Sequence, residues 1–122
     1  MIKVSGPGEP PASAQGKRLR AFAVALADAN VPALLGLVSP DIVWQPVGRR
    51  AVTGVDGFLR TVTRYGPATD LAIDTLITEG RAGAVSGTLA YGRKRRAFCL
   101  VCRFDGDPGV LLSIMSYSQS LR

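Results

Sequence analysis

After Asp70 the sequence carries no helical periodicity, only short apolar–polar alternations broken by turn residues. Leu71–Thr78 runs into Glu79–Gly80, and Ala84–Tyr91 follows. The basic stretch Arg93–Lys94–Arg95–Arg96 then reads as a hairpin tip. Ala97–Phe104 comes next, then the longer loop Asp105-Gly-Asp-Pro-Gly109, and Val110–Ser118 closes the series. Four consecutive strands with connections this short pair antiparallel with their neighbours. Such a sheet must bury one face, and only the first half of the chain can supply the helices to cover it.

That first half reads as helix, helix, strand, helix. Leu19, Phe22, Ala23 and Leu26 recur at helical spacing, with Ser13 as the cap of a helix reaching toward Ala29. Asn30 ends that helix and caps a second, with Pro32 in its first turn and Leu34, Leu35 and Val38 as its apolar face. Ser39–Pro40–Asp41 is a turn, and Ile42–Val47 is a short strand stopped by Pro46 and Gly48. Thr53-Gly-Val-Asp56 has the form of a capping box. The stripe Val55, Phe58, Leu59, Val62 and Tyr65 follows it, and Gly66–Pro67 stops that helix.

The order predicts an α+β domain: three N-terminal helices packed on a curved, mainly antiparallel sheet. The 122 residues suit one domain. Residues 1–12, with three prolines and two glycines, read as a flexible tail, and 13–122 as the domain. A twisted sheet wrapped over helices leaves a cavity between them, which becomes the first place to look for a site.

With 47% apolar residues the composition is globular. No apolar run approaches the roughly 20 residues of a membrane span, and no membrane partner is expected. Met1–Ile2–Lys3–Val4 runs straight into Ser, Gly and Pro without an apolar signal core, which predicts a cytoplasmic protein. The net charge of +6 raises the question of nucleic acid. There is no glycine-rich phosphate loop and no aromatic row among the basic residues, so a solvated basic hairpin is expected and nucleic acid is not.

Cys99 and Cys102 stand at Cys-x-x-Cys spacing, and there is no histidine. On a strand, residues three apart face opposite sides and lie about 10 Å apart, whereas a disulfide needs Cα atoms within roughly 7 Å. Zinc would require a second ligand pair. Two buried structural thiols are expected, and no metal or cofactor.

One short stretch raises a question of chemistry. In Val43-Trp-Gln-Pro-Val-Gly-Arg-Arg50 a neutral amide sits at the end of an apolar strand. By alternation Gln45 and Val43 share a face, expected toward the cavity, with Trp44 opposite. Two roles fit Gln45: orienting a polar group of a ligand, or satisfying a backbone group or a buried water.

The element order resembles the nuclear-transport-factor-2-like superfamily, also called SnoaL-like or cystatin-like. Asp41-Ile-Val-Trp-Gln-Pro-Val-Gly48, Thr53-Gly-Val-Asp-Gly-Phe58, Arg103-Phe-Asp-Gly106 and Ser113-Ile-Met-Ser-Tyr117 carry the resemblance, which spans roughly Ser13 to Leu121. It implies a cone-shaped domain around a pocket and a homodimer through the outer sheet. The Val-x-x-Pro-Val-Gly pattern is most similar to ketosteroid isomerases. The resemblance places their carboxylate base on Gln45, their oxyanion-hole tyrosine on or next to Phe22, and their protonated aspartate on Leu100. None of these three side chains can move a proton near neutral pH. Similar polyketide cyclases use a histidine with an aspartate, and this chain lacks histidine. Similar limonene epoxide hydrolases use Asp–Arg–Asp with Tyr and Asn. Their second aspartate would fall near Ser116 and their tyrosine near Val43, which leaves only Gln45 where the Asn stands.

The expected pocket residues are therefore Phe22, Val43, Gln45, Phe58, Phe98, Leu100, Ser116 and Ser118, holding a small, mostly apolar ligand. Trp44, Val101 and Tyr117 are the expected dimer face. No catalytic residue is assigned. Asp41 and Asp56 read as turn and cap residues; the alternative, an isomerase, hydratase or cyclase acting on a small hydrophobic molecule through unassigned residues, would be favoured by an inward Asp74 or Glu79. A protein-interaction scaffold would use the outer sheet and the basic stretch.

Overall fold

The computed structural model describes residues 2–6 and 11–121. Helix α1, Ala14–Ala27, begins where the Ser13 hydroxyl accepts the Gly16 N–H at 2.9 Å. Helix α2, Val31–Leu35, begins where the Asn30 side chain accepts the Ala33 N–H at 3.2 Å. Helix α3 spans Val55–Tyr65 and ends at Gly66, whose φ of +73° only glycine adopts readily. Phe58 and Val62 of its stripe are buried, Val55 and Leu59 pack partly against the core, and Tyr65 is exposed.

Four strands form the expected antiparallel run: β4 Asp70–Glu79, β5 Ala82–Tyr91, β6 Lys94–Phe104 and β7 Leu111–Leu121. Strands β1 Lys3–Ser5, β2 Val38–Pro46 and β3 Val52–Thr53 complete one seven-stranded sheet in the order β1-β4-β5-β6-β7-β2-β3. Two pairings are parallel, β1 with β4 and β2 with β7. The architecture is the α+β arrangement that the order of elements predicts.

Several local expectations are corrected. Within the stretch read as a tail, Lys3–Ser5 pairs with Asp70–Ala72, because the edge of β4 offers unpaired backbone groups; residues 1 and 7–10 of that stretch lie outside the described residues. The turn expected at Ser39–Pro40–Asp41 lies inside β2. No capping box forms at α3: Thr53 pairs with Val43, and Gly54 at φ +86° turns the chain into the helix without a side-chain cap. Asp56 is left to favour the positive end of the helix. The basic stretch is not a tip either. Gly92 and Arg93 make the turn, and Lys94–Arg96 belong to β6.

A bulge at Asp74 bends the sheet. Ile73 pairs with Gly87 and Thr75 with Ser86, leaving Asp74 as the extra residue. Gly87 permits this, since a Cβ there would collide with the Ala72 carbonyl. After the bulge the inward positions of β4 switch parity, from Leu71 and Ile73 to Leu76. The bent sheet closes around α1 and α3, with Leu19, Phe22, Leu34, Ile42, Phe58, Phe104 and Leu111 at the centre of the core.

One buried polar side chain locks the helix to the loops. Gln15, 1% exposed, donates from Nε2 to the carbonyls of Gly80 at 3.0 Å and Gly106 at 2.8 Å, and accepts the Gly109 N–H on Oε1 at 3.0 Å. Its amide therefore stands in for backbone partners at the β4–β5 turn and the β6–β7 loop.

Candidate functional site

A cavity of about 360 Å³ opens between the helices and the concave face of the sheet. Its size is in the range of small-molecule sites. Helix α1 contributes Ala23, Leu26 and Ala27, and α3 contributes Val62 and Tyr65. The sheet contributes Leu71 from β4, Leu89 and Tyr91 from β5, and Arg96, Phe98 and Leu100 from β6. Trp44 and Pro46 of β2, Val47 and Arg49 of the following turn, and Ser116–Ser118 of β7 close the remaining side.

Behind Trp44, which borders the cavity, lies an aromatic cluster. The rings of Phe22 and Phe58 stack with centroids 6.3 Å apart, and Trp44 meets Phe58 edge-on at 5.7 Å. The Trp44 indole N–H donates to the Ser116 hydroxyl at 2.8 Å, so this large ring is both packed and satisfied. Around the mouth stand polar side chains. Arg49 donates to the Tyr65 hydroxyl at 3.2 Å. Arg96 donates to the hydroxyls of Ser118 at 3.0 Å and Ser120 at 2.9 Å. Burial, then the neighbouring Tyr65, push the Tyr91 phenol above its ordinary range, while Arg96 pulls the other way. At neutral pH Tyr91 is therefore a neutral donor. Among the described residues no carboxylate lines the cavity, and no three His, Cys, Asp or Glu side chains gather as a metal site would need.

Of the eight residues expected at the pocket, Phe98, Leu100, Ser116 and Ser118 line this cavity. Phe22 and Phe58 do not reach it; both are fully buried in the core behind it. Val43 and Gln45 face the other way. Ile42 is buried and Trp44 half-buried on the inner face, so the odd-numbered positions of β2 turn outward. Gln45 donates to the carbonyl oxygens of Pro46 at 2.9 Å and Arg49 at 2.8 Å, which pins the turn after β2. The amide thus serves backbone groups, one of the two roles open to it. Trp44 leaves the expected dimer face for the same reason: its ring buries far more apolar surface against Phe58 than Gln45 could. Val101 and Tyr117 do lie on the outer face, each more than 40% exposed.

Asp41, Asp56, Asp74 and Glu79 are all exposed, and none borders the cavity. Cys102 is fully buried, and burial, then Cys99, raise its thiol from 9.0 to about 12. Cys99 is half-buried rather than buried, because it belongs to the outer face.

Arg49, Tyr65, Tyr91 and Arg96 join the cavity lining beyond the eight expected residues. Two of them had a signal. Phe98, Leu100, Cys102 and Phe104 share one strand face, and extending that alternation back two residues puts Arg96 inside. Tyr65 is the last residue of the α3 stripe.

Residues 19–108, well over half of the chain, match the model of the SnoaL-like domain family. No curated protein sequence matches. Several solved structures share the fold. A ketosteroid isomerase candidate from Kribbella flavida is 19% identical, with a TM-score of 0.77 over 90% of this chain and 82% of its own. A candidate SnoaL-like polyketide cyclase from Jannaschia sp. is 10% identical, with a TM-score of 0.74 over 93% and 92% of the two chains. An epoxide hydrolase of the limonene-epoxide-hydrolase-like type from M. tuberculosis is 20% identical, with a TM-score of 0.66 over 89% and 86%. At such identities these neighbours speak to fold and not to reaction. The chain belongs to the SnoaL-like domain family, with the nuclear-transport-factor-2-like α+β fold.

Proposed function

We propose that this protein binds a small, mostly apolar molecule in the concave cavity and does not carry out the isomerase reaction. The observation that carries this reading is the cavity lining: apolar walls and a tyrosine- and arginine-rimmed mouth, with no carboxylate among the described residues. Proton abstraction next to a carbonyl needs a base with a suitable pKa within reach of the substrate. The only tryptophan, Trp44, borders the cavity and serves as its reporter. Titration with the neutral probe 4-phenylbutanol should change Trp44 emission saturably; a flat titration would refute binding of this class.

The alternative, an enzyme acting on a small hydrophobic substrate, would have to rely on Tyr91 and Tyr65 as proton donors. A Δ5-3-ketosteroid offered to the purified protein should remain unisomerised. Gln45→Asp should not create activity, since position 45 points away from the cavity; turnover in that variant would overturn this placement of the site.

The outer face suggests the assembly. Cross-strand pairing sets Gln45, Met115, Val101, Ala84 and Ile77 in one rank across five strands, with Ile77 62% exposed. A homodimer would cover this apolar rank, as the resemblance implies. Size-exclusion chromatography with light scattering should give about twice the chain mass, and a monomer at micromolar concentration would contradict it.

A further inference from the structure

The polar side chains at the mouth narrow the class of apolar molecule that fits the cavity. They are unbalanced. Arg49, Arg96, Tyr65, Tyr91 and Ser118 supply two guanidinium groups and three hydroxyls, and no acid stands among the lining residues to neutralise them. Arg96 is half-buried and aimed inward, in step with Phe98 and Leu100 on the concave face of β6. Its two hydrogen bonds, to the Ser118 and Ser120 hydroxyls, hold the guanidinium plane in place while consuming two of its five N–H donors. The Tyr65 oxygen accepts from Arg49, which leaves the Tyr65 proton free to donate. A half-buried guanidinium with three further N–H donors, and no carboxylate among the lining residues, favours a carboxylate, which answers it with paired, charge-assisted hydrogen bonds.

We propose that the cavity takes an amphipathic anion, an apolar body bearing one carboxylate, with the carboxylate at the mouth against Arg96 and the body among Leu26, Val62, Leu71, Leu89 and Leu100. This rests on the binding reading above. Arg49 and Tyr65 also line the cavity, and the Tyr91 phenol, neutral near pH 7, supplies a further donor. The surroundings favour the same sign of ligand. Arg93, Lys94 and Arg95 lead directly into Arg96 on the same hairpin, and the whole chain carries +6, so a negative ligand is steered toward this rim.

The test compares two probes with the same apolar body, 4-phenylbutyrate and 4-phenylbutanol, by titration of Trp44 emission at low salt. The carboxylate should bind at least about tenfold more tightly, equivalent to about 1.4 kcal/mol. Arg96→Met should bring the two probes to parity, Arg96→Lys should restore part of the difference, and added NaCl should shrink it in the wild type. Thermal melts confirm that each variant is folded, and the wild-type comparison stands without them. Equal affinity of the two probes, or a preference for the alcohol, would overturn the anion assignment while leaving apolar binding intact. Full carboxylate preference in folded Arg96→Met would overturn the seat. Binding of neither probe would overturn the binding reading itself, and this inference with it.

Discussion

The two ends of the cone are built from the same helix and the same sheet, yet one is solid and the other hollow. At the closed end α1 presents Gln15, bonded to the loops, and Leu19, in one core cluster with Phe104, Leu111 and Cys102, all essentially without exposure. Two turns later the same helix face presents Ala23 and Ala27. The sheet does not follow the smaller side chains inward, because β4 to β7 are held at their spacing by their hydrogen-bonded ladders. The volume that leucines would have filled remains open, and polar side chains from the ends of the strands gather at its rim. A cavity here is thus a matter of side-chain size along one helix, on a frame that stays the same.

The largest effect should come from breaking the closed end. Gln15→Leu strips partners from two carbonyls and one N–H, and is expected to cost about 2–4 kcal/mol of unfolding free energy in urea titration. A loss under about 0.5 kcal/mol would mean that the loops do not depend on that amide. Next comes the buried thiol. Cys102 in the folded chain holds its proton up to about 12, whereas an unfolded chain releases it near 9.0. The folded pKa is the higher one, so the unfolded state binds fewer protons between these values and stability falls as pH rises through that window. The contribution is about 1.4 kcal/mol per pH unit at most. Cys102→Ala should flatten the alkaline limb by that amount, and an unchanged slope would place the titration elsewhere. The smallest expected change in stability is at the hollow end. Ala27→Leu should alter unfolding free energy by less than about 1 kcal/mol, since the added atoms enter open space. The same variant should lose the Trp44 response to 4-phenylbutanol. A cost above about 3 kcal/mol would show that this end is packed like the other.

Much of the frame was legible in the residues. Ser13 and Asn30 cap their helices as their types suggest, Gly66 ends α3, and the alternation after Asp70 resolves into four paired strands. The site was legible only where one strand carried its own signal. On β6 the apolar face is unambiguous, and Phe98 and Leu100 duly line the cavity. On β2 it is not, because Val43, Trp44 and Gln45 offer no clear alternation. A resemblance centred on the residue before Pro46 pointed to Gln45, but burial of the neighbouring ring prevailed.

The amino-acid sequence by itself determined the kinds of elements, their order and the side chains available, because caps, turn glycines and apolar periodicity act over a few residues. The tertiary structure alone decided which way β2 faces and which charged groups meet. Trp44 could turn inward only once Phe58 and Ser116, 14 and 72 positions away, had been brought beside it. Arg49 and Arg96 likewise border one cavity only because the bent sheet brings the turn after β2 to the start of β6. Contacts between residues so far apart in the chain depend on the whole packing at once, and no local pattern records them.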